Sequence, residues 1–305
     1  MQKNIDQAVA EIGTVLLGKD VQVRLALCCL IARGHLLIED LPGMGKTTLS
    51  NALARVLGLD YKRVQFTSDL LPADILGVSI FNRDSAQFEF IAGPIFTQVL
   101  LADEINRTTP KSQSALLEAM EEGQVTIEGK TRELPAPFFV IATQNPATQS
   151  GTYPLPESQL DRFLMRISLG YPDREAERKL LLGEDSRRTL MKLQHVIAPQ
   201  EFVAIQKAVD DIHCSENLLD YVQRLVDYSR SSTDFVYGLS PRGARALLHC
   251  AKTWALMSGR GHVVPEDVQM VLPAVVEHRL TTSLDYRRDS RGLSQKLLEE
   301  VPVIV

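Results

Sequence analysis

The chain of 305 residues is short of cysteine, and the four it has, Cys28, Cys29, Cys214 and Cys250, form no Cys-x-x-Cys pair and no zinc-ligand spacing. That argues against a disulfide scaffold or a structural zinc site, leaves reduced cysteines packed in a core, and implies an intracellular protein. Long apolar runs are missing too. The longest, Leu25 to Ala32, makes about two helical turns, whereas a bilayer span needs about 18 apolar residues or more. No membrane span is expected, and because Met1 to Ala10 lacks an apolar signal core, a cytoplasmic location is expected. Positive charge is not in excess: 33 Lys and Arg stand against 38 Asp and Glu, a formal net charge of -5. This disfavours broad, sequence-independent binding of nucleic acid, although a local basic channel would not register in the sum. No internal repeat or low-complexity segment stands out.

What is present is an ordinary globular composition, 45% hydrophobic and 23% charged, with length for about two domains and a substantial core. The stretch Glu39-Asp40-Leu41-Pro42-Gly43-Met44-Gly45-Lys46-Thr47-Thr48 organises the rest. An apolar run, His35-Leu36-Leu37-Ile38, precedes it, and an amphipathic helix with Leu49, Ala52, Leu53, Val56 and Leu57 follows, closed by Gly58. Strand, Gly-rich turn and helix are the context of a phosphate-binding loop. Small residues at 43 and 45 let backbone N–H groups wrap a phosphate, Lys46 reaches the β/γ oxygens, and Thr47 offers a hydroxyl to Mg²⁺. The usual pattern has Gly at position 40; Asp40 is accommodated at this level by the tolerance of Asp for unusual backbone dihedrals. A plain strand-to-helix turn with a surface lysine is the alternative.

Two further apolar runs end in polar residues. Val99-Leu100-Leu101-Ala102-Asp103-Glu104 reads as a buried parallel strand whose C-terminal end is where ligands sit in open α/β sheets. Asp103 would hold the Mg²⁺ shell and Glu104 polarise the attacking water; otherwise the pair simply favours a helix N-terminus. Phe138 to Ala142 is a second such strand, ending in Thr143-Gln144-Asn145-Pro146. Asn145 either meets a γ-phosphate or its lytic water, or belongs to an ordinary Asn-Pro turn. Two hairpins are predicted, Val78 to Phe81 with Phe88 to Phe90, and Gln124 to Ile127 with Thr131 to Leu134. The first places Phe88 and Phe90 on one face, either covering the core or touching substrate. Leu164 to Leu169 predicts a last strand. Helices then start near Asp173, Pro199, Glu216, Ser240-Pro241 and Val264-Pro265 with no strand pattern between them. The expected division is an α/β nucleotide-binding domain over 1–185, an all-helical domain over 190–285 and a tail of uncertain structure over 286–305.

The order of these motifs resembles the AAA+ ATPases, and Leu37 to Thr47 with Leu160-Asp161-Arg162-Phe163 is similar specifically to the MoxR family, over residues from about 5 to 280. In that family an acidic residue commonly opens the loop, so Asp40 becomes part of the resemblance. The fold class it implies is α/β, a P-loop AAA+ core with a central parallel sheet flanked by helices, plus a C-terminal helical lid. ATP and Mg²⁺ are the implied cofactors. Lys46 and Thr47 are then the Walker A pair within a loop of Asp40, Pro42, Gly43, Met44, Gly45 and Thr48. Asp103 and Glu104 are the Walker B pair, with Thr47 and Asp103 toward the metal. Asn145 corresponds to sensor 1. Arg162 matches the arginine finger given to a neighbouring subunit, and Arg242 matches sensor 2 on the lid, with Arg166 and Arg245 as nearby alternatives. Val15 to Gly18 would lie against the adenine. The hairpins look like the helix-2 and pre-sensor-1 inserts shared with magnesium chelatases and minichromosome-maintenance helicases.

An arginine delivered in trans makes the site depend on assembly, and a finger on one side with a pocket on the other is a heterologous contact that closes as a ring. The resemblance suggests a hexamer. The expected function is ATP hydrolysis coupled to chaperone-like remodelling or maturation of protein clients, beside a von Willebrand factor A domain partner. The alternative is a ring-shaped nucleic-acid motor. Against it, the second hairpin sets Lys130 and Arg132 beside Glu128 and Glu133, where a DNA-tracking tip would be basic. A P-loop GTPase or kinase fares worse, since the guanine-specifying Asn-Lys-x-Asp pattern is absent and neither explains the lid motif.

Overall fold

A computed structural model describes residues 1–145, 153–182, 186–282 and 292–303. Helices α1 (Gln2–Gly13) and α2 (Asp20–Ile31) precede β1 (Leu36–Glu39), the phosphate-loop segment and α3 (Lys46–Val56). Then come β2 (Tyr61–Gln65), α4 (Pro72–Leu76), the hairpin of β3 (Gly77–Asn82) and β4 (Gln87–Ala92), and β5 (Val99–Asp103). Helix α5 (Pro110–Glu122), the hairpin of β6 (Gln124–Ile127) and β7 (Lys130–Glu133), β8 (Phe139–Gln144), α6 (Glu157–Leu160) and β9 (Met165–Ile167) follow. The C-terminal part holds α7 (Arg174–Leu181), α8 (Ser186–Lys192), α9 (Pro199–Ala208), α10 (Glu216–Ser231), β10 (Phe235–Tyr237), α11 (Pro241–Met257), α12 (Pro265–Val276), β11 (Thr281–Thr282) and α13 (Leu293–Glu300).

The central sheet is parallel throughout, in the order β2-β5-β8-β1-β9. The three apolar runs seen in the sequence occupy its three middle places, where both faces are covered and alternation is not needed. Strand geometry still sorts their side chains. Leu36, Ile38, Val99, Leu101, Phe139 and Ile141 pack toward α1, α2, α3 and the lid helices, while Leu37, Leu100, Ala102, Val140 and Ala142 pack toward α5 with Phe66 and Ile75. The C-terminal ends of β1, β8 and β5 therefore lie side by side.

Both predicted hairpins form, and Phe81 and Phe88 stack edge to face at 5.4 Å between centroids. Helices α7, α10 and α11 begin near the expected starts at Asp173, Glu216 and Ser240-Pro241, where the Asp173, Ser215 and Ser240 side chains accept from Ala176, Leu218 and Gly243 N–H at 2.8, 3.4 and 3.0 Å. The lid is helical apart from the two-stranded ribbon β10–β11, whose strands are too short for periodicity to register. The stretch that sequence alone did not place contains α13, with Leu297 and Val301 buried against the lid; residues 283–291 and 304–305 lie outside the described residues. Among the described residues no helix is long and apolar enough to cross a membrane.

His35 fastens the foot of the sheet. Its Nδ1 accepts the Val140 N–H at 2.9 Å and its Nε2 lies 3.1 Å from the Met120 carbonyl, which fixes the neutral tautomer with the proton on Nε2. Burial, reinforced by the Arg242 charge and opposed by the Met120 bond, lowers its pKa from 6.5 to about 4. The folded state therefore resists a proton that the unfolded chain accepts, so this contribution is complete above about pH 6.5 and is lost as the pH falls toward 4, by at most about 3 kcal/mol. His35→Gln, which keeps a donor and an acceptor, should lose that part of the acid sensitivity in denaturant titrations at pH 7 and pH 5. An identical pH dependence in both proteins would remove His35 from the account.

Candidate active site

Between β1 and α3 the chain turns with Gly43 at φ 87° and Gly45 at φ 91°. A side chain at position 45 would be strained and would also meet Leu16 Cδ1 at 2.8 Å, so glycine is required on both counts. Helix α3 starts at Lys46 with no side-chain cap, which leaves its first-turn amides free in the arrangement that receives phosphate. Leu41, Pro42 and Gly43 are exposed, whereas Met44, Thr47 and Thr48 are half-buried.

Lys46 is buried, and its three protons have three acceptors: Asp40 O at 2.6 Å, Asn145 Oδ1 at 3.0 Å and Gln144 O at 3.4 Å. Burial lowers its pKa, against the opposing pull of Asp40, Asp103, Glu104 and Glu39. Asn145, itself buried, turns its other amide end to Glu104 and donates to Oε1 at 3.1 Å. One side chain thus ties the loop lysine to the strand carboxylate. The carbonyl of Asn145 is held in turn by Asn106 Nδ2 at 3.1 Å.

Asp103 ends β5 and accepts from Thr143 Oγ1 at 2.6 Å and from Arg63 at 2.7 and 3.1 Å. Glu104 follows at φ 58°, a left-handed conformation that costs energy for a residue with a side chain. Its N–H donates to the same Thr143 hydroxyl at 2.8 Å, which holds the turn in place. The Glu104 carboxylate also meets Gln65 Nε2 at 2.9 Å and Arg107 Nε at 3.2 Å.

Asp40 overturns the backbone explanation for its presence, because its φ is not in the left-handed region. The carboxylate is what the position uses. Oδ1 accepts the Leu41 N–H at 2.8 Å, and Oδ2 accepts from Ser168 Oγ at 3.0 Å and from the Leu169 and Gly170 N–H groups, each at 2.7 Å. Burial alone would raise its pKa, but these four bonds outweigh burial and bring it below the ordinary value. Asp40 therefore staples the start of the loop to the segment after β9.

Val15 lines a cleft of about 540 Å³ beside the loop, with Met44, Thr48 and Tyr171. Gly18 is set back from it. Its φ of 68° makes the turn into α2, and an added Cβ would meet Asp173 Oδ2 at 2.7 Å, so it admits the α7 cap and does not line the cleft.

Arg162 and Arg242 are elsewhere. They lie at the foot of the sheet, in a cleft of about 660 Å³ that includes His35 and Arg245. Both pair with Glu121, at 2.9 and 3.0 Å. Arg166 stands apart on Glu39 at 3.0 Å. The structure thus brings Asp40, Lys46, Asp103, Glu104 and Asn145 together and leaves Arg162 and Arg242 at the opposite end. Sequence reading missed Arg63, Gln65, Arg107, Thr143 and Glu121. The register that sets Gln65 beside Asp103 comes from strand order, which no spacing along the chain reveals.

A family model described as ATPase family associated with various cellular activities (AAA) matches residues 35–165, and an AAA lid domain model matches residues 227–301. Fold and site together define an AAA+ ATPase with its lid. The chain is similar to chaperone MoxR1 of Mycobacterium tuberculosis, 38% identical over 93% of this chain and 78% of that protein. It is 46% identical to YeaC of Bacillus subtilis over 90% of this chain and 86% of that protein. The crystal structure of a candidate ATPase from Cytophaga hutchinsonii superposes with a TM-score of 0.88 at 35% identity, covering 99% of this chain and 95% of that one. The chain belongs to the MoxR family of AAA+ ATPases.

Removing the lysine should be felt in binding: Lys46→Ala should weaken ATP affinity about tenfold or more, read by calorimetry. Asp40→Asn keeps one acceptor oxygen but turns an NH₂ group toward another donor. It should cost about 1–3 kcal/mol of stability and reduce ATP affinity together. Unchanged thermal unfolding and unchanged affinity would show that the staple is dispensable.

Proposed function

We propose that this chain hydrolyses ATP with Mg²⁺ as a ring, of six subunits by family likeness, in which each site is finished by its neighbour. The single observation that carries this reading is the separation of Arg162 and Arg242 from Lys46, Asp103 and Glu104 within one chain. An arginine at the γ-phosphate is worth about 10³ to 10⁵ in rate in related phosphoryl transfer; the arginines at the loop edge, Arg63, Arg107 and Arg166, are held by Asp103, Glu104 and Glu39, so the distance of Arg162 and Arg242 supports delivery from an adjacent copy. Both arginines share one cleft, and therefore both are assigned to the neighbour's site; the lid arginine would serve in trans as well.

Within the loop edge, Lys46 and the first-turn amides of α3 receive the phosphates and Asn145 places the water. Glu104 takes its proton as general base once an oxygen is released from Gln65, Arg107 or Asn145. Val15 borders the cleft assigned to the adenine. Mg²⁺ prefers one or two protein oxygens together with substrate phosphates, and the hydroxyl of Thr47 and carboxylate of Asp103 are donors of that kind. Among the described residues no group of three or more His, Cys, Asp and Glu forms a protein-only metal cage. Bound there, Mg²⁺ would offset phosphate charge.

The work done with this hydrolysis is assigned to protein clients in a chaperone-like role, following the relative named a chaperone; the cytoplasm and a von Willebrand factor A domain partner are assigned by the family resemblance alone. A nucleic-acid motor is disfavoured by the second hairpin, where Glu128 and Glu133 offset Lys130 and Arg132. The domain division 1–185 and 190–285 is retained, with α13 added to the lid.

Glu104→Gln should bind ATP with near-parental affinity and turn it over at a small fraction of the parental rate. Arg162→Ala alone should also be inactive. Mixed with Glu104→Gln subunits, it should regain activity, because an intact Glu104 then faces an intact Arg162 across some interfaces. No recovery in well-mixed assemblies would overturn delivery in trans.

A further inference from the structure

The cleft at the foot of the sheet contains a contact that the hydrolysis scheme does not use. Glu121, in the last turn of α5, gives one carboxylate oxygen to each of two arginines: Oε2 to Arg162 Nη2 at 2.9 Å and Oε1 to Arg242 Nη1 at 3.0 Å. Arg162 belongs to the nucleotide-binding core and Arg242 to the lid, so the three side chains form a bridge between domains. We propose that Glu121 is an internal stand-in for the γ-phosphate of the neighbouring subunit's ATP, holding Arg162 and Arg242 converged until that phosphate displaces it. This rests on the reading that these arginines act in trans.

Three observations carry the proposal. The first is geometric: a carboxylate presents two oxygens to two guanidiniums, as two oxygens of a phosphoryl group do, so the arginines are already spaced for phosphate. The second is charge. Within the cleft Arg279 is taken by Asp161 and Arg33 by Asp210, and Arg245 has no acidic partner among the described residues. Once Glu121 is displaced, Arg162, Arg242 and Arg245 stand uncompensated, a field suited to a multiply charged anion such as a polyphosphate. The third is exposure. The side chains of Glu121, Arg162 and Arg242 are 38%, 27% and 50% exposed, so the bridge is solvent-screened and exchangeable. The neighbouring lid contact is of the opposite kind: Arg279, 4% exposed, grips Asp161 Oδ1 at 2.8 Å and the Phe163 carbonyl at 2.7 Å. One contact keeps the lid on the core, and the other can let it move when a neighbour's nucleotide arrives. ADP, lacking the γ-phosphate, leaves Glu121 in place.

The experiment measures assembly of the full chain by sedimentation velocity with saturating ATP, in a Glu104→Gln background that preserves the nucleotide. Adding Glu121→Gln removes the competing charge at constant size. It should lower the protein concentration for half-assembly with ATP about three- to tenfold, with little change with ADP and with ATP binding by isolated subunits unaltered. Glu121→Asp, too short to reach both arginines, should shift assembly the same way by less. Unchanged or weakened ATP-dependent assembly in both variants would overturn the stand-in role. Arg162→Ala in the same background separates the two ideas. If it assembles with ATP like its parent, the trans reading itself fails; if it loses ATP-dependence while the Glu121 variants do not differ from their parent, only the role of Glu121 fails.

Discussion

A lysine ammonium buried at the C-terminal edge of a parallel sheet is the constraint around which the rest is arranged. Such a charge is tolerated only where every proton is accepted and opposite charge is close. Here two backbone carbonyls and the Asn145 amide meet the three protons of Lys46, and four carboxylates lie near enough to oppose the desolvation that lowers its pKa. Because those partners come from β1, β8 and β5, the three strands must end at the same level. The all-parallel order with β8 between β5 and β1 makes them do so.

The same edge stores its strain in Glu104 and its rigidity in Asp40. Glu104 sits in a left-handed turn and its carboxylate is engaged on both oxygens, so it is positioned but not free. Asp40 does the opposite work. Three of its four hydrogen bonds join the loop to the segment after β9, so displacement of either is felt by the other, and that segment leads directly to Tyr171 beside the cleft that Val15 lines.

At the foot of the sheet the chemistry is arginine-rich and the contacts differ in permanence. Arg279 is buried and held by fixed acceptors, whereas Arg162 and Arg242 share one accessible carboxylate. A sheet with the groups proposed to bind phosphate at one end and the arginines assigned to a neighbour at the other suits the proposed head-to-tail ring.

Much of this was legible along the chain because it is local. The apolar runs of β1, β5 and β8, the glycines at 43 and 45, the helix starts near Asp173, Glu216 and Ser240, and the turn at Glu128-Gly129 each act within a few residues. The three-residue strand β10 and two-residue β11 were not, since a pair held only by a distant partner leaves no periodic trace. For Asp40, local reasoning offered backbone tolerance, and the real cause lay 128 to 130 residues away in sequence. The sequence by itself determined the α/β class, the glycine-rich loop and the residues proposed to bind phosphate and activate water, because these follow from residue type and short-range spacing. Tertiary structure alone decided that Asn145 links Lys46 to Glu104, that Gln65 and Arg107 restrain that carboxylate, and that Arg162 and Arg242 meet on Glu121 at the far end. Strand order and domain packing set those distances, and neither is written in the separation of residues along the chain.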